Sequence, residues 1–154
     1  MNWMLMPLRR YADFSGRSQR MEYWMFQLLN IIVLAFGIIL VFAGLDWAEM
    51  AAQSNQYGKF ASDTAPSARA LPGPLTWIGG ALLLLWLLGT FIPHLAVTVR
   101  RFHDQDKSGW FYLLSFIPYA GSIILIVFMC IEGTKGPNQY GPDPLGRGPA
   151  DVFA

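Results

Sequence analysis

Three stretches of this chain contain no charged residue: 23–45, 70–99 and 108–131. An apolar run of about 18 residues or more can cross a bilayer's hydrocarbon core, about 30 Å thick, at about 1.5 Å per helical residue. The alternative is three buried helices of a soluble protein. That needs a polar shell, and only 14% of the 154 residues are charged, against roughly 25% in a soluble domain. The sequence therefore predicts an all-α integral membrane protein with three hydrophobic membrane helices and an N-terminal interfacial amphipathic helix. The expected division is a cytoplasmic interfacial segment 1–22, transmembrane helix 23–45, external loop 46–74 and transmembrane helix 75–99. A cytoplasmic charged loop 100–109, a membrane segment 110–132 and a Gly/Pro-rich tail 133–154 follow.

Local signals fill in this plan. Leu8, Tyr11 and Ala12 share a helical face beside Arg9 and Arg10, which suits a helix lying on the membrane surface. Ser15-Gly16 ends it, and Tyr23 and Trp24 suit the aromatic belt at the start of the first span. The first span is longer than the apolar core of a signal peptide and is expected to remain in the mature protein. In the first connection, 46–57 reads as a frayed helix with Trp47 at the interface, and 61–74 as a flexible tether. Gly79 and Gly80 allow close helix contact, and Pro93 should bend the second span. Ser108 is a candidate N-cap for the third segment. Pro118 and Gly121 interrupt that segment near its middle, so it is either one kinked crossing or two half-helices that dip in and return.

Lysine and arginine set the orientation. The N-terminal segment has Arg9, Arg10, Arg17 and Arg20, and the short 100–109 loop has Arg100, Arg101 and Lys107. The much longer first connection has Lys59 and Arg69 only. The N-terminus and the 100–109 loop are thus expected in the cytoplasm. Three full crossings would put the tail outside, whereas a re-entrant third segment would put it inside; Lys135 and Arg147 do not decide between them.

Composition excludes several function classes. A net charge of +1 gives no reason to expect nucleic acid as a partner. One cysteine, Cys130, makes neither an intrachain disulfide nor a cysteine-based zinc site. His94 and His103 are nine apart and fall on opposite faces of a helix, so no metal site is expected. No nucleophile pattern or phosphate-binding glycine loop is present. No cofactor and no catalytic residue is assigned.

The few polar residues in the spans are aligned. Thr90, His94, Thr98, Arg101 and Gln105 form one stripe, and Tyr23, Gln27 and Asn30 another. An unsatisfied polar group in hydrocarbon costs several kcal/mol, so Gln27, Asn30, His94, Thr98 and Ser115 are expected to face one another at the cytoplasmic side. Two readings compete: interhelical hydrogen bonds that hold the spans together, or a polar site around His94, the one ionisable residue at that depth.

The loop VRRFHDQDKSGW concentrates charge between two apolar runs. Arg100 and Asp104 are i and i+4 and can pair on a continuing helix, with Arg101 pointing elsewhere. His103 and Asp104 suggest an acid–base pair, but sequence neighbours do not face each other on a helix. Three pieces, YADFSGRSQRMEYWMF, PHLAVTVRRFHDQDKSGW and EGTKGPNQYGPDP, resemble the domain of unknown function 805 family of small bacterial inner-membrane proteins. Phe14, Gly16, Arg17, Arg20, Glu22, Tyr23 and Trp24 carry the first motif. Arg100, Arg101, His103, Asp104, Ser108, Gly109 and Trp110 carry the second. Gly133, Gly136, Asn138, Tyr140, Gly141, Asp143 and Pro144 carry the third. The resemblance implies location and architecture but no reaction.

The leading expectation is a multi-pass, non-enzymatic protein of the bacterial inner membrane. Its cytoplasmic face would carry an Arg/Asp/Glu network serving structure, or binding an anionic lipid headgroup or another membrane protein. Arg17, Arg20, Arg100, Arg101, His103 and Asp104 are the candidate binding residues, and Glu22, Gln27, Asn30, His94, Thr98 and Asp143 the supporting network. One alternative is a small transporter or channel component, working as a single copy or a homo-oligomer, using Thr90, His94 and Thr98. Another is a membrane enzyme using His103 and Asp104.

Overall fold

The computed structural model describes residues 3–45 and 72–147. Expectations for the first connection up to residue 71 and for the last seven residues lie outside the described part. Among the described residues the regular structure is helical, with a lone bridge between Asn138 and Gly141. The order is α1 (Met6–Arg9), α2 (Arg20–Ala43), α3 (Pro74–Asp104), a 3-10 helix η1 (Gly109–Phe116) and α4 (Ala120–Cys130). The short helix expected in the N-terminal segment is a single turn, α1, which ends before Tyr11 and Ala12.

α2 and α3, of 24 and 31 residues, reach about 36 and 46 Å and exceed the hydrocarbon core. α3 continues through Pro93 to Asp104. The most apolar window of α2 has a mean hydropathy of 2.6 and is only 17% buried. Its apolar side chains therefore face outward, which distinguishes it from the core helix of a soluble protein.

The chain forms two compact units, 1–31 with 88–154, and 32–87. In the second, α2 and α3 pack closely at small residues. A methyl on Gly79 would lie 2.8 Å from the Val41 amide nitrogen and 2.9 Å from the Gly37 carbonyl oxygen. Gly80, by contrast, faces open space. The Thr76 hydroxyl donates to the Val41 carbonyl at 3.2 Å and the Gly73 amide to the Gly44 carbonyl at 3.1 Å. The described part of this unit carries no charged residue; every described charge lies in the first unit.

In the first unit, Tyr23, Phe26, Val97, Phe102 and Met129 form the apolar core. The third apolar run does not continue as one helix. η1 ends at Phe116, Tyr119 takes a positive φ of 64°, and α4 follows. Phe111 of η1 meets Phe128 of α4 edge-on at 6.0 Å, and Phe102 of α3 lies within 6.1 Å of both rings. The run therefore folds as a hairpin whose two ends return to the end of α3. Each limb reaches only about 16 Å. Ser108 is its N-cap, accepting from the Trp110 amide at 3.4 Å.

α3 ends in a Schellman motif. The Lys107 amide donates to the Phe102 carbonyl and the Asp106 amide to the His103 carbonyl, both at 3.0 Å. Asp106 stands at the left-handed position, φ 57°, that usually holds glycine. Asp106→Gly is accordingly expected to stabilise the protein by up to about 1 kcal/mol. Thermal unfolding in detergent would register this as an unchanged or higher midpoint.

Candidate functional site

The end of α3 places three charged side chains in sequence where the 13–22 segment and the tail converge. Arg100, Arg101 and Asp104 are all buried, and a charge removed from water needs a partner and hydrogen bonds to its remaining polar atoms. Arg100 turns towards α2. Its Nη2 lies 2.9 Å from Glu22 Oε1, and its Nη1 donates to the Asp13 carbonyl at 2.9 Å. Glu22 also accepts from the Ser18 hydroxyl at 2.7 Å, and the Ser18 amide donates to the Arg100 carbonyl at 3.2 Å. Arg100 therefore ties down both ends of the 13–22 segment. The expected i,i+4 pair of Arg100 with Asp104 does not form, because Arg100 takes its partner from α2.

Asp104 pairs instead with Arg101, one turn back on its own helix, and with Arg17. Arg17 Nε donates to Asp104 Oδ1 at 3.0 Å. Its two remaining nitrogens donate to the Gly136 and Thr134 carbonyls, each at 2.6 Å. Arg101 pairs with Asp104 Oδ2 and donates to the Ile131 carbonyl. Gln105 donates to the Phe128 carbonyl, and Arg20 reaches the Cys130 carbonyl at 3.5 Å. These three side chains cover the end of α4, whose last carbonyls have no intrahelical partner and attract cations.

The tail is fastened at several further points. The Asn138 amide group donates to the His103 carbonyl at 2.8 Å and the Thr134 amide to the Asp104 carbonyl at 2.8 Å. His103 stacks flat on Tyr140, centroids 3.8 Å apart, with Nδ1 3.3 Å from the Gly16 carbonyl oxygen. Asp143 accepts from the Arg147 guanidinium at 2.7 Å, the Leu145 amide at 2.9 Å and the Gly136 amide at 3.2 Å. Burial pushes the Asp143 carboxyl up, but these donors together hold it below its ordinary value. Asp13 is held well below the carboxylate range by the Ser15 hydroxyl, then by Arg10. Gly136 has φ +78°, a left-handed conformation that suits glycine, and this turn directs its carbonyl at Arg17.

The polar residues of the spans behave differently. Asn30 donates to the Phe26 carbonyl at 3.0 Å and Thr98 to the His94 carbonyl at 2.7 Å, each one turn back in its own helix. The His94 ring lies 6.4 Å from Tyr23. Gln27 Oε1 is buried without a hydrogen-bond partner among the described residues. Ser115 is half-buried in η1. No cluster of potential metal ligands occurs among the described residues.

Sequence reasoning did not assign roles to Ser18, Glu132, Thr134 or Arg147. Glu132 lies 3.0 Å from Arg147 and 3.7 Å from the half-exposed Arg20. No spacing rule links residue 17 or 20 to residues past 130. The signal available was the third motif itself, whose Gly136, Asn138, Tyr140 and Asp143 all contribute here.

The family model described as "Protein of unknown function (DUF805)" matches residues 11–142, and so takes in all three segments at this site apart from the tail's last residues. The chain belongs to the DUF805 family. Two relatives from Escherichia coli strain K12 support this along nearly their whole lengths. The inner membrane protein YhaI is 41% identical over 145 residues, covering 94% of this chain and 96% of the relative. The inner membrane protein YhaH is 40% identical over 144 residues, covering 94% and 97%. No solved structure matches this chain. For this DUF805 member, the ion pairs and carbonyl contacts described above account for most of the motif residues through contacts within the chain.

Proposed function

We propose that this is a multi-pass protein of the bacterial inner membrane, without catalytic activity, whose cytoplasmic face is locked by the Arg17–Asp104 and Arg100–Glu22 pairs. The N-terminal segment and the tail both lie in the cytoplasm. The hairpin from η1 to α4 enters the membrane from that side and returns to it. A single side chain carries the reading. The Arg17 guanidinium joins Asp104 of the second motif to the Thr134 and Gly136 carbonyls of the third. A full third crossing would separate those groups by the thickness of the bilayer. Two inner-membrane relatives at about 40% identity support the compartment.

The contacts of His103 and Asp104 favour structure over catalysis. A general acid or base must have a free atom within hydrogen-bond reach of a substrate. Both Asp104 oxygens are taken by arginines, and His103 turns Nδ1 to the Gly16 carbonyl oxygen, so the two do not form an acid–base pair. The Thr98 hydroxyl is turned onto its own helix, which weighs against a polar path along Thr90, His94 and Thr98. C-terminal fusions test the topology. A fluorescent protein that folds only in the cytoplasm should be bright at the tail, and a phosphatase active only outside should be silent. Phosphatase activity there overturns the re-entrant hairpin.

A further inference from the structure

Three of the four arginines expected to meet a lipid phosphate are already engaged, and the fourth, the half-exposed Arg20, lies 3.7 Å from Glu132. Arg17, Arg100 and Arg101 are buried and bound to carboxylates and carbonyls of the chain itself. The described residues include nine cations and six carboxylates, all in the first unit. Five of those carboxylates are in ion pairs, with Arg10, Arg17, Arg20, Arg100, Arg101 and Arg147. Arg9, Lys107 and Lys135 are left over, with no carboxylate at ion-pair distance among the described residues, against one unpaired acid, the exposed Asp106.

These three cations occupy the three segments that the network joins. Arg9 closes α1 and is exposed, beside the outward-facing Leu5 and Tyr11. Lys107 precedes Trp110, which is 77% exposed, and its ammonium sits 5.5 Å above the Phe128 ring. Lys135 is exposed between the two residues whose carbonyls Arg17 holds. For Arg9 and Lys107, a cation beside exposed aromatic or aliphatic side chains is the chemistry of the headgroup layer, where tryptophan and tyrosine settle and anionic lipids attract lysine and arginine. Lys135 adds a third charge, exposed on the tail.

We propose that Arg9, Lys107 and Lys135 form a contact surface for the anionic phospholipid headgroups of the leaflet that the network faces. The placement of that leaflet in the cytoplasm rests on the topology proposed above. The surface is electrostatic, so it prefers phosphatidylglycerol to the zwitterionic phosphatidylcholine and weakens with salt.

The test uses the full-length protein in detergent, with phosphatidylglycerol or phosphatidylcholine added and bound lipid read by native mass spectrometry. The wild type should retain phosphatidylglycerol preferentially. A triple variant Arg9→Gln/Lys107→Gln/Lys135→Gln should lose about tenfold or more of that preference, at several-fold per charge. The charge-conserving Arg9→Lys/Lys107→Arg/Lys135→Arg should keep it. If the neutral variant does not fold, the salt dependence of the wild type decides. A preference absent from the wild type, kept in the neutral variant, or unchanged by 0.5 M salt would overturn the proposal. Labelling single cysteines introduced at the exposed Ala12 and Gln139, in a Cys130→Ser background that keeps Arg9, Lys107 and Lys135, from either side of the membrane reads topology separately. Outside labelling with lipid preference intact would defeat the topology and leave the lipid surface standing.

Discussion

Asp104→Asn is expected to remove most of the folded protein from the membrane. The substitution keeps the side chain's shape and takes away its charge. Two buried guanidiniums, those of Arg17 and Arg101, then lose the only carboxylate at ion-pair distance from them among the described residues. Breaking a buried pair by deleting one partner costs about 3–5 kcal/mol, because the remaining charge stays desolvated and uncompensated. A helical domain of this size has roughly 5–15 kcal/mol in all. The measurement is thermal unfolding in detergent together with abundance in the membrane fraction. Arg20→Gln provides the comparison. Its side chain is 49% exposed and its pair with Glu132 is 3.7 Å long, and exposed pairs of this kind are worth about 0–1 kcal/mol. If the two variants unfolded at the same temperature, the buried network would not be what holds the tail.

The sequence carried the two long helices and the meeting of the first two motifs plainly, and the pairing within that meeting poorly. Uncharged runs of such length leave few alternatives to α2 and α3, since backbone groups in lipid must be satisfied within the segment. Pro118 and Gly121 marked the break in the third run. What they could not tell was whether the halves continue or fold back. That depends on Phe111, Phe128 and Phe102 packing together, a contact between residues up to 26 apart. Arg100 and Arg101 show the other limit. Adjacent arginines point in different directions, and the i,i+4 rule gave Asp104 to Arg100. The geometry gives it to Arg101 at i,i+3, because Glu22 of α2 offers Arg100 a partner that no local rule can see. The polar stripe in the spans was legible as a stripe. Thr98 resolves its hydroxyl on its own helix, the back-bonding common for threonine, rather than across to a neighbour.

Gly133→Ala should act on the same site from the opposite side. Gly133 follows Glu132 at the point where the tail passes over the end of α3, and the three atoms nearest to where its Cβ would stand all belong to the Asp104 carboxylate. A methyl there would overlap the carboxylate. Asp104 cannot swing aside, because Arg17 grips one oxygen and Arg101 the other. The tail must therefore lift, which withdraws the Thr134 and Gly136 carbonyls from Arg17 and exposes buried nitrogen donors. Overpacking of a filled site costs about 1–3 kcal/mol, with a further 1–3 kcal/mol for each polar group left unsatisfied. The expected result is faster hydrogen exchange at amides 134–141 and earlier cleavage by trypsin at Lys135, while α2 and α3 stay protected. Gly80→Ala makes the same chemical change where a methyl meets nothing within 4 Å. It lies within α3, where alanine is the better helix former by about 1 kcal/mol, and should leave the tail's exchange untouched. Equal exchange at 134–141 in wild type and Gly133→Ala would mean that the carboxylate yields and the tail is held elsewhere.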